Sequence, residues 1–304
     1  MRAGLIVASV AGALVAAPPP NSSRAAQTGR DGVAAGALAS LAEAGGQPRV
    51  SPELVDVRSG ELTLRAQVWR PSGRGPFPAV LFNHGSYSTR DPLPRSAPET
   101  LGPVFARHGY VFLWLHRQGI GLSSRQGTAD GDQFARAFKA EGVEGRSRVQ
   151  LQLLENEEMK EATAALERLR ARGDVDPQRI GVVGHSFGGS LTLLMAARDP
   201  EIRAAVIFGG AAGSWNQSAG LRERLLAAVA RMPAPAMFIH AENDYSVAPG
   251  SELAAEMQRL GKSHALKIYG AFGPDTRAGH NIVFESVRTW ESDVFAFLDA
   301  GLRR

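Results

Sequence analysis

The chain predicts an α/β fold, a mostly parallel sheet with helices on both faces, and three observations support this. Short apolar runs alternate with amphipathic stretches from residue 52 onward. Several of the runs are continuously apolar, as expected of strands covered on both faces. Polar, glycine-containing turns follow them, and ligands on such sheets bind beyond the carboxyl ends of the strands.

The elements follow in order. Residues 62–69 alternate, with Leu62, Leu64, Ala66 and Val68 apolar, which is the period of a half-buried strand. Residues 79–82 form a continuous apolar run, and a helix over 101–107 leads to another at 111–115. Residues 117–148 are polar and glycine-containing, and read as an insertion or mobile segment that forms a partial cap. A long amphipathic helix comes next: Leu151, Leu154, Met159, Ala162, Leu166 and Leu169 recur at helical spacing until Gly173 ends it. The strand at 180–183 runs straight into a glycine-rich turn, and residues 191–197 form a helix apolar on most faces, hence buried. Strands at 204–208 and 237–240 flank a helix over 221–230. A helix over 251–260, a last strand at 265–269 and a terminal helix with Val287, Trp290, Val294 and Phe297 inward complete the chain. No internal repeat is visible.

Composition bounds the function. The 304 residues are 44% apolar, enough for one large core, and 21% charged, without a long stretch of disordered composition. The net charge of +4 comes mostly from arginines scattered among carboxylates, as in Glu167, Arg168, Arg170, Arg172 and Asp174. That is a solvated surface, not a nucleic-acid interface. There is no cysteine, which excludes disulfides, thiolate catalysis, cysteine-containing zinc sites and iron–sulfur clusters. At the start, Met1-Arg2 precedes an uncharged apolar run from 3 to 17, broken by Pro18-Pro19-Pro20. The run is shorter than the ~20 residues of a membrane span and fits a secretory signal peptide, which implies export with no stable span after signal removal. Cleavage after Val15-x-Ala17 would put Pro18 beside the cut; Ser23-x-Ala25 is the alternative. The expected organisation is a signal peptide over 1–25, a flexible leader over 26–51 with a short helix at 33–44, and one domain over 52–304.

The chemistry concentrates at strand ends. Gly184-His185-Ser186-Phe187-Gly188-Gly189 lies between the 180–183 strand and the buried helix. A serine on such a sharp turn is forced into a strained conformation that lifts its hydroxyl above the sheet, and the flanking glycines let helix and strand approach. The spacing lacks the Lys-Ser/Thr ending of a phosphate-binding loop. A serine hydroxyl needs a histidine to take its proton, and the histidine needs a carboxylate to fix its tautomer. Of seven histidines, His280 lies in the polar loop between the last strand and last helix. His116 and His240 end strands, near the site but on the wrong elements. For the acid, Asp244 follows the 237–240 strand by a few residues; Glu242 reads as a brace for that loop, and Asp275 is a further option. The order Ser186, Asp244, His280 is that of α/β-hydrolases. Two N–H donors must hold the developing oxyanion. Phe187, next to the nucleophile, supplies one; the loop Asn83-His84-Gly85-Ser86-Tyr87 supplies the other, with Ser86 the first choice and Tyr87 the second.

These motifs, with Glu242-Asn243-Asp244, Val247, Pro249 and Gly279-His280, resemble the α/β-hydrolase superfamily over about residues 52–300. The nearest likeness is to its dienelactone-hydrolase-like and prolyl-oligopeptidase-like branch. Dienelactone hydrolases proper use a cysteine nucleophile, absent here, so their particular substrate is not carried over. Residues 117–123, Arg117-Gln118-Gly119-Ile120-Gly121-Leu122-Ser123, look like the Arg-Gly-x-Gly-x-Ser loop of many members and are expected to shape one pocket wall. The expectation is a serine hydrolase that cleaves a small or polymeric carboxylic ester through an acyl-enzyme. No metal or organic cofactor is implied, and Tyr87 would contact substrate. A peptidase or amidase, a polyester hydrolase, and an inactive binding protein on the same fold are the rivals. The oligomeric state is open.

Overall fold

The computed structural model describes residues 51–302. The expected signal peptide, leader and 33–44 helix lie outside the described residues. Strands β1 (Glu53–Ser59) and β2 (Leu62–Trp69) form a hairpin, followed by β3 (Phe77–Asn83), α1 (Ser96–Arg107) and β4 (Val111–His116). Helices α2 (Asp130–Glu155) and α3 (Glu157–Arg170) lead to β5 (Val175–His185), α4 (Phe187–Arg198) and β6 (Ala204–Phe208). Then come α5 (Ala219–Arg231), β7 (Ala236–Ala241), α6 (Ala248–Arg259) and β8 (His264–Tyr269). Two short helices, α7 (Thr276–His280) and α8 (Ile282–Glu285), precede α9 (Val287–Leu302).

The strands form one sheet in the order β1-β2-β4-β3-β5-β6-β7-β8. β2 pairs antiparallel with both β1 and β4; every other pairing is parallel. Successive side chains on a strand point to opposite faces, and the two faces have separate cores. Ala79 and Leu81 join Val182, Ile207 and Phe238 under α3 to α6. Val80 and Phe82 join Phe112, Val206 and Ile239 under α1 and α9. This two-sided burial is why residues 79–82 and 204–208 are apolar without alternation.

The structure differs from the sequence reading in three places. β1 was not expected, because its only buried side chains are Val55 and Val57, too short an alternation to stand out. The long helix over 151–169 is two helices, broken at Asn156 (φ −122°, ψ −92°). Much of the 117–148 segment is the first part of α2, which bends where Glu141 and Gly142 leave helical geometry. On α9 Trp290, Val294, Phe295, Leu298 and Leu302 are buried, and Val287 and Phe297 pack half-buried against the same core, as expected. No helix among the described residues is long and apolar enough to cross a membrane.

Gly102 shows how tightly α1 lies on the sheet: a Cβ there would overlap the ring of Trp69. Helix propensity alone favours alanine by about 1 kcal/mol, but overpacking a fixed ring costs about 1–3 kcal/mol. Gly102→Ala is therefore expected to lower the denaturant midpoint; a midpoint at or above that of the wild type would show that Trp69 repacks freely.

Candidate active site

Ser186, the residue between β5 and α4, has φ 55° and ψ −120°, a left-handed backbone rare for a side-chain-bearing residue. Close packing forces it. A Cβ on Gly184 would overlap the Gly188 carbonyl oxygen, and one on Gly188 would overlap the carbonyl oxygens of Asn83 and His84. The Ser186 N–H donates to Phe208 O at 2.8 Å, which pins the turn to β6. The Phe187 N–H, at the first position of α4, has no acceptor within its helix.

His280 ends α7, and its Nδ1 bonds Asp244 Oδ1 at 2.7 Å. With Nδ1 donating to a carboxylate, Nε2 is the free, basic ring nitrogen. Ser186 and His280 line one cavity of about 640 Å³. No hydrogen bond joins the Ser186 hydroxyl to the imidazole, a looseness common before substrate binds. Asp244 Oδ1 also accepts the Tyr245 N–H at 2.7 Å, and Oδ2 accepts from His240 Nδ1 at 2.7 Å. Burial alone would push this carboxyl up, but the bonds from His240 and His280 outweigh it and hold its pKa well below the usual carboxylate range. The charge therefore persists through any ordinary working pH.

Several expectations need correction. His240, set aside as lying on the wrong element, is the second ligand of the Asp244 carboxylate. Glu242 is exposed, and the brace is Asn243. Its amide donates to Phe272 O and Asp275 O and accepts the Phe272 N–H, all at 2.8 Å, which stitches the loop after β8 to the one after β7. Asp275 caps α7 by accepting the Ala278 N–H and does not reach His280's partner position. Tyr87 lines the cavity, but its N–H is spent on Asp130 Oδ1 at 3.0 Å, which removes it as an oxyanion donor. Ser86 is exposed, and its N–H has no acceptor among the described residues.

His185 went unnoticed as a support: its Nε2 bonds the His280 carbonyl at 2.9 Å. Burial and the neighbouring His280 lower its pKa to about 3, so it is neutral and donates. The cavity also takes Phe134, Arg146 and Gln150 from α2, and Ser214 and Gln217 from the turn after β6. Residues 130–150 thus build a wall, as residues 209–217 do. Residues 117–123 do not line it. Arg117 is instead buried behind the β3 loop, with Asp130, Glu158 and Glu161 around its guanidinium.

Known proteins bear on this site at two levels. The model of the dienelactone hydrolase family matches residues 103–289. The chain belongs to the dienelactone hydrolase family. YtaP of Bacillus subtilis is 31% identical over 161 residues, 50% of either chain. Esterase EstD of Thermotoga maritima is 34% identical over 155 residues, 48% of this chain and 32% of that protein. The chain thus spans half or less of the curated relatives it matches. Among solved structures, acylaminoacyl peptidase of Pyrococcus horikoshii superposes with a TM-score of 0.59 at 19% identity, over 83% of this chain and 42% of that one. Dienelactone hydrolase from Anabaena variabilis gives 0.56 at 20% identity, over 83% of this chain and 100% of that one. At such identities these two show the α/β-hydrolase fold alone.

Two predictions follow for this dienelactone hydrolase family member. Gly209 has φ +57°, and a Cβ there would sit 2.9 Å from the His280 ring and 3.1 Å from Asp244 Oδ2. Gly209→Ala should displace the histidine and lower hydrolysis by roughly 10²-fold; a folded variant with wild-type rates would mean that the ring has room to move. The second concerns pH. Burial pushes the Glu161 carboxyl up from 4.5 to about 7, although it accepts the Gln118 N–H and faces Arg117. Between those values the folded state keeps a proton that the unfolded chain has lost, so this group makes stability fall as pH rises. Relative to Glu161→Gln, the wild type should lose stability from pH 4.5 to 7 in denaturant titrations; parallel curves would contradict this.

Proposed function

We propose that the protein hydrolyses a carboxylic ester through an acyl-enzyme, with Ser186 as nucleophile, His280 as base and Asp244 as the acid that orients it. The observation that carries this reading is the 2.7 Å His280–Asp244 bond in the cavity that Ser186 lines from its strained turn. The chain order Ser186, Asp244, His280 and the shared cavity wall of Ser186 and His280 support the reading. His280 Nε2 takes the hydroxyl proton as Ser186 attacks, and the imidazolium that forms is stabilised by Asp244. The Phe187 and Ser86 N–H groups receive the oxyanion. His280 returns the proton to the leaving alcohol, and water then repeats the cycle to release the acid.

An ester is favoured over an amide by the likeness to a protein named as an esterase. The cavity suits a small substrate that is apolar towards Pro94, Ala97 and Phe284 and hydrogen-bonding towards Gln150, Ser214 and Gln217. The apolar run over 3–17 supports export of the protein.

The test combines fluorophosphonate labelling with a panel of p-nitrophenyl acyl esters and aminoacyl anilides. The wild type should be labelled once and should turn over short acyl esters faster than anilides. Ser186→Ala should remove labelling and reduce kcat/KM by roughly 10⁴-fold or more, and Asp244→Asn by roughly 10³–10⁴-fold. An unlabelled wild type would overturn the enzyme reading; faster anilide turnover would make it a peptidase.

A further inference from the structure

The peptide unit between Gly85 and Ser86 is the one whose N–H would receive the oxyanion, and its other end is gripped from inside the protein. The Gly85 carbonyl oxygen accepts from Arg117 Nη2 at 3.0 Å and from His84 Nδ1 at 2.7 Å. A trans peptide is planar, with its C=O and N–H pointing in opposite directions. Holding the oxygen from behind therefore aims the N–H forward, towards the cavity that Gly85, Ser86 and Ser186 line.

The grip extends along the loop. Arg117 Nη1 donates to His84 O at 2.8 Å, and the Arg117 N–H donates to His84 Nε2 at 3.4 Å. Burial and the nearby Arg117 hold the His84 pKa well below its ordinary value, consistent with a neutral ring that donates through Nδ1 and accepts through Nε2. Asp130 takes Arg117 Nη2 on Oδ2 at 3.0 Å, and on Oδ1 it takes the Tyr87 N–H at 3.0 Å and the Gly131 N–H at 2.7 Å. The Tyr87 carbonyl in turn accepts the Gly131 N–H at 2.9 Å. Among the amides from Gly85 to Tyr87, those on either side of the donor peptide are tied to Arg117 or Asp130, while the Ser86 N–H points to none of these partners.

We propose that the buried Arg117–Asp130 pair is a positioning device that fixes and polarises the Ser86 N–H as an oxyanion donor. The proposal rests on the acyl-transfer reading above. Two features suit it to that task. The guanidinium offers a planar fork that reaches two adjacent carbonyls and a carboxylate at once, which an ammonium cannot do. A cationic donor on the Gly85 oxygen also draws electron density through the amide and makes the opposite N–H a stronger donor. Because both charges are fully buried, water does not screen this effect.

A positioning role predicts a loss confined to the transition state. The test compares wild type, Arg117→Lys and Asp130→Asn for kcat, KM, affinity for a trifluoromethyl ketone analogue of the best ester, and circular dichroism. Asp130→Asn keeps an acceptor for the Tyr87 N–H and removes the charge, so it serves even if Arg117→Lys fails to fold. The expectation is a kcat loss of roughly 30–100-fold in Arg117→Lys and about tenfold in Asp130→Asn, below the 10²–10³ of deleting a donor outright. KM should stay within about threefold, and ketone affinity should fall in step with kcat. Folded variants with wild-type kcat and ketone affinity overturn the proposal. So does a kcat loss with unchanged ketone affinity, which would mark a merely structural pair. A wild type that neither hydrolyses the panel nor takes a fluorophosphonate would instead overturn the acyl-transfer reading.

Discussion

The site depends on the close packing where β5, α4 and the end of β3 meet. There is no space for a Cβ at Gly184 or Gly188, because the Gly188 oxygen and the Asn83 and His84 oxygens occupy those positions. The chain must therefore turn within one residue, and Ser186 takes the strained conformation, at a cost of about 1–3 kcal/mol. The helix it starts offsets that cost. Residues 187–196 are all buried, and each large apolar side chain among them contributes about 1.5–3 kcal/mol. The strain at Ser186 thus persists because the helix behind it is anchored in the core. The same approach brings the β3 loop to the serine: a Cβ on Gly85 would lie 3.3 Å from Ser186 Cβ.

Around this turn the buried polar groups are arranged in layers. His240 and His280 share the Asp244 carboxylate, so neither of its oxygens is left bare in a low-dielectric surrounding. His185 holds the His280 backbone, and Asn243 holds the loop that precedes it. On the far side, Arg117 and Asp130 hold the β3 loop. Each proposed reacting group is thus backed by a second residue from another segment. That is how loops at strand ends keep a fixed geometry without regular secondary structure of their own.

How far the sequence could be read depended on the range of the interactions. Strands β2 and β6 and the buried helix α4 were legible because their signals are local: alternation in the first, continuous apolarity where both sheet faces are covered, and glycines bracketing a turn. β1 was not, since two valines make no pattern. The α2–α3 break was hidden because apolar spacing carries on through Asn156, so the periodicity alone does not reveal a change of axis.

The sequence by itself determined the fold class, the position of Ser186, and the placing of Asp244 and His280 at later strand ends, because each follows from residue types at short spacing. Only the tertiary structure decided which neighbours serve them. Asn243 rather than Glu242 stitches the loops, His240 joins Asp244, and Arg117 stands behind the β3 loop rather than in the pocket wall. Arg117 and Asn243 pair with groups about 30 residues away in the chain. His240 lies only four residues from Asp244, yet its contact depends on how the β7 end turns. Such pairings are settled by where the sheet puts strand ends in space, and no local pattern of hydrophobicity encodes that.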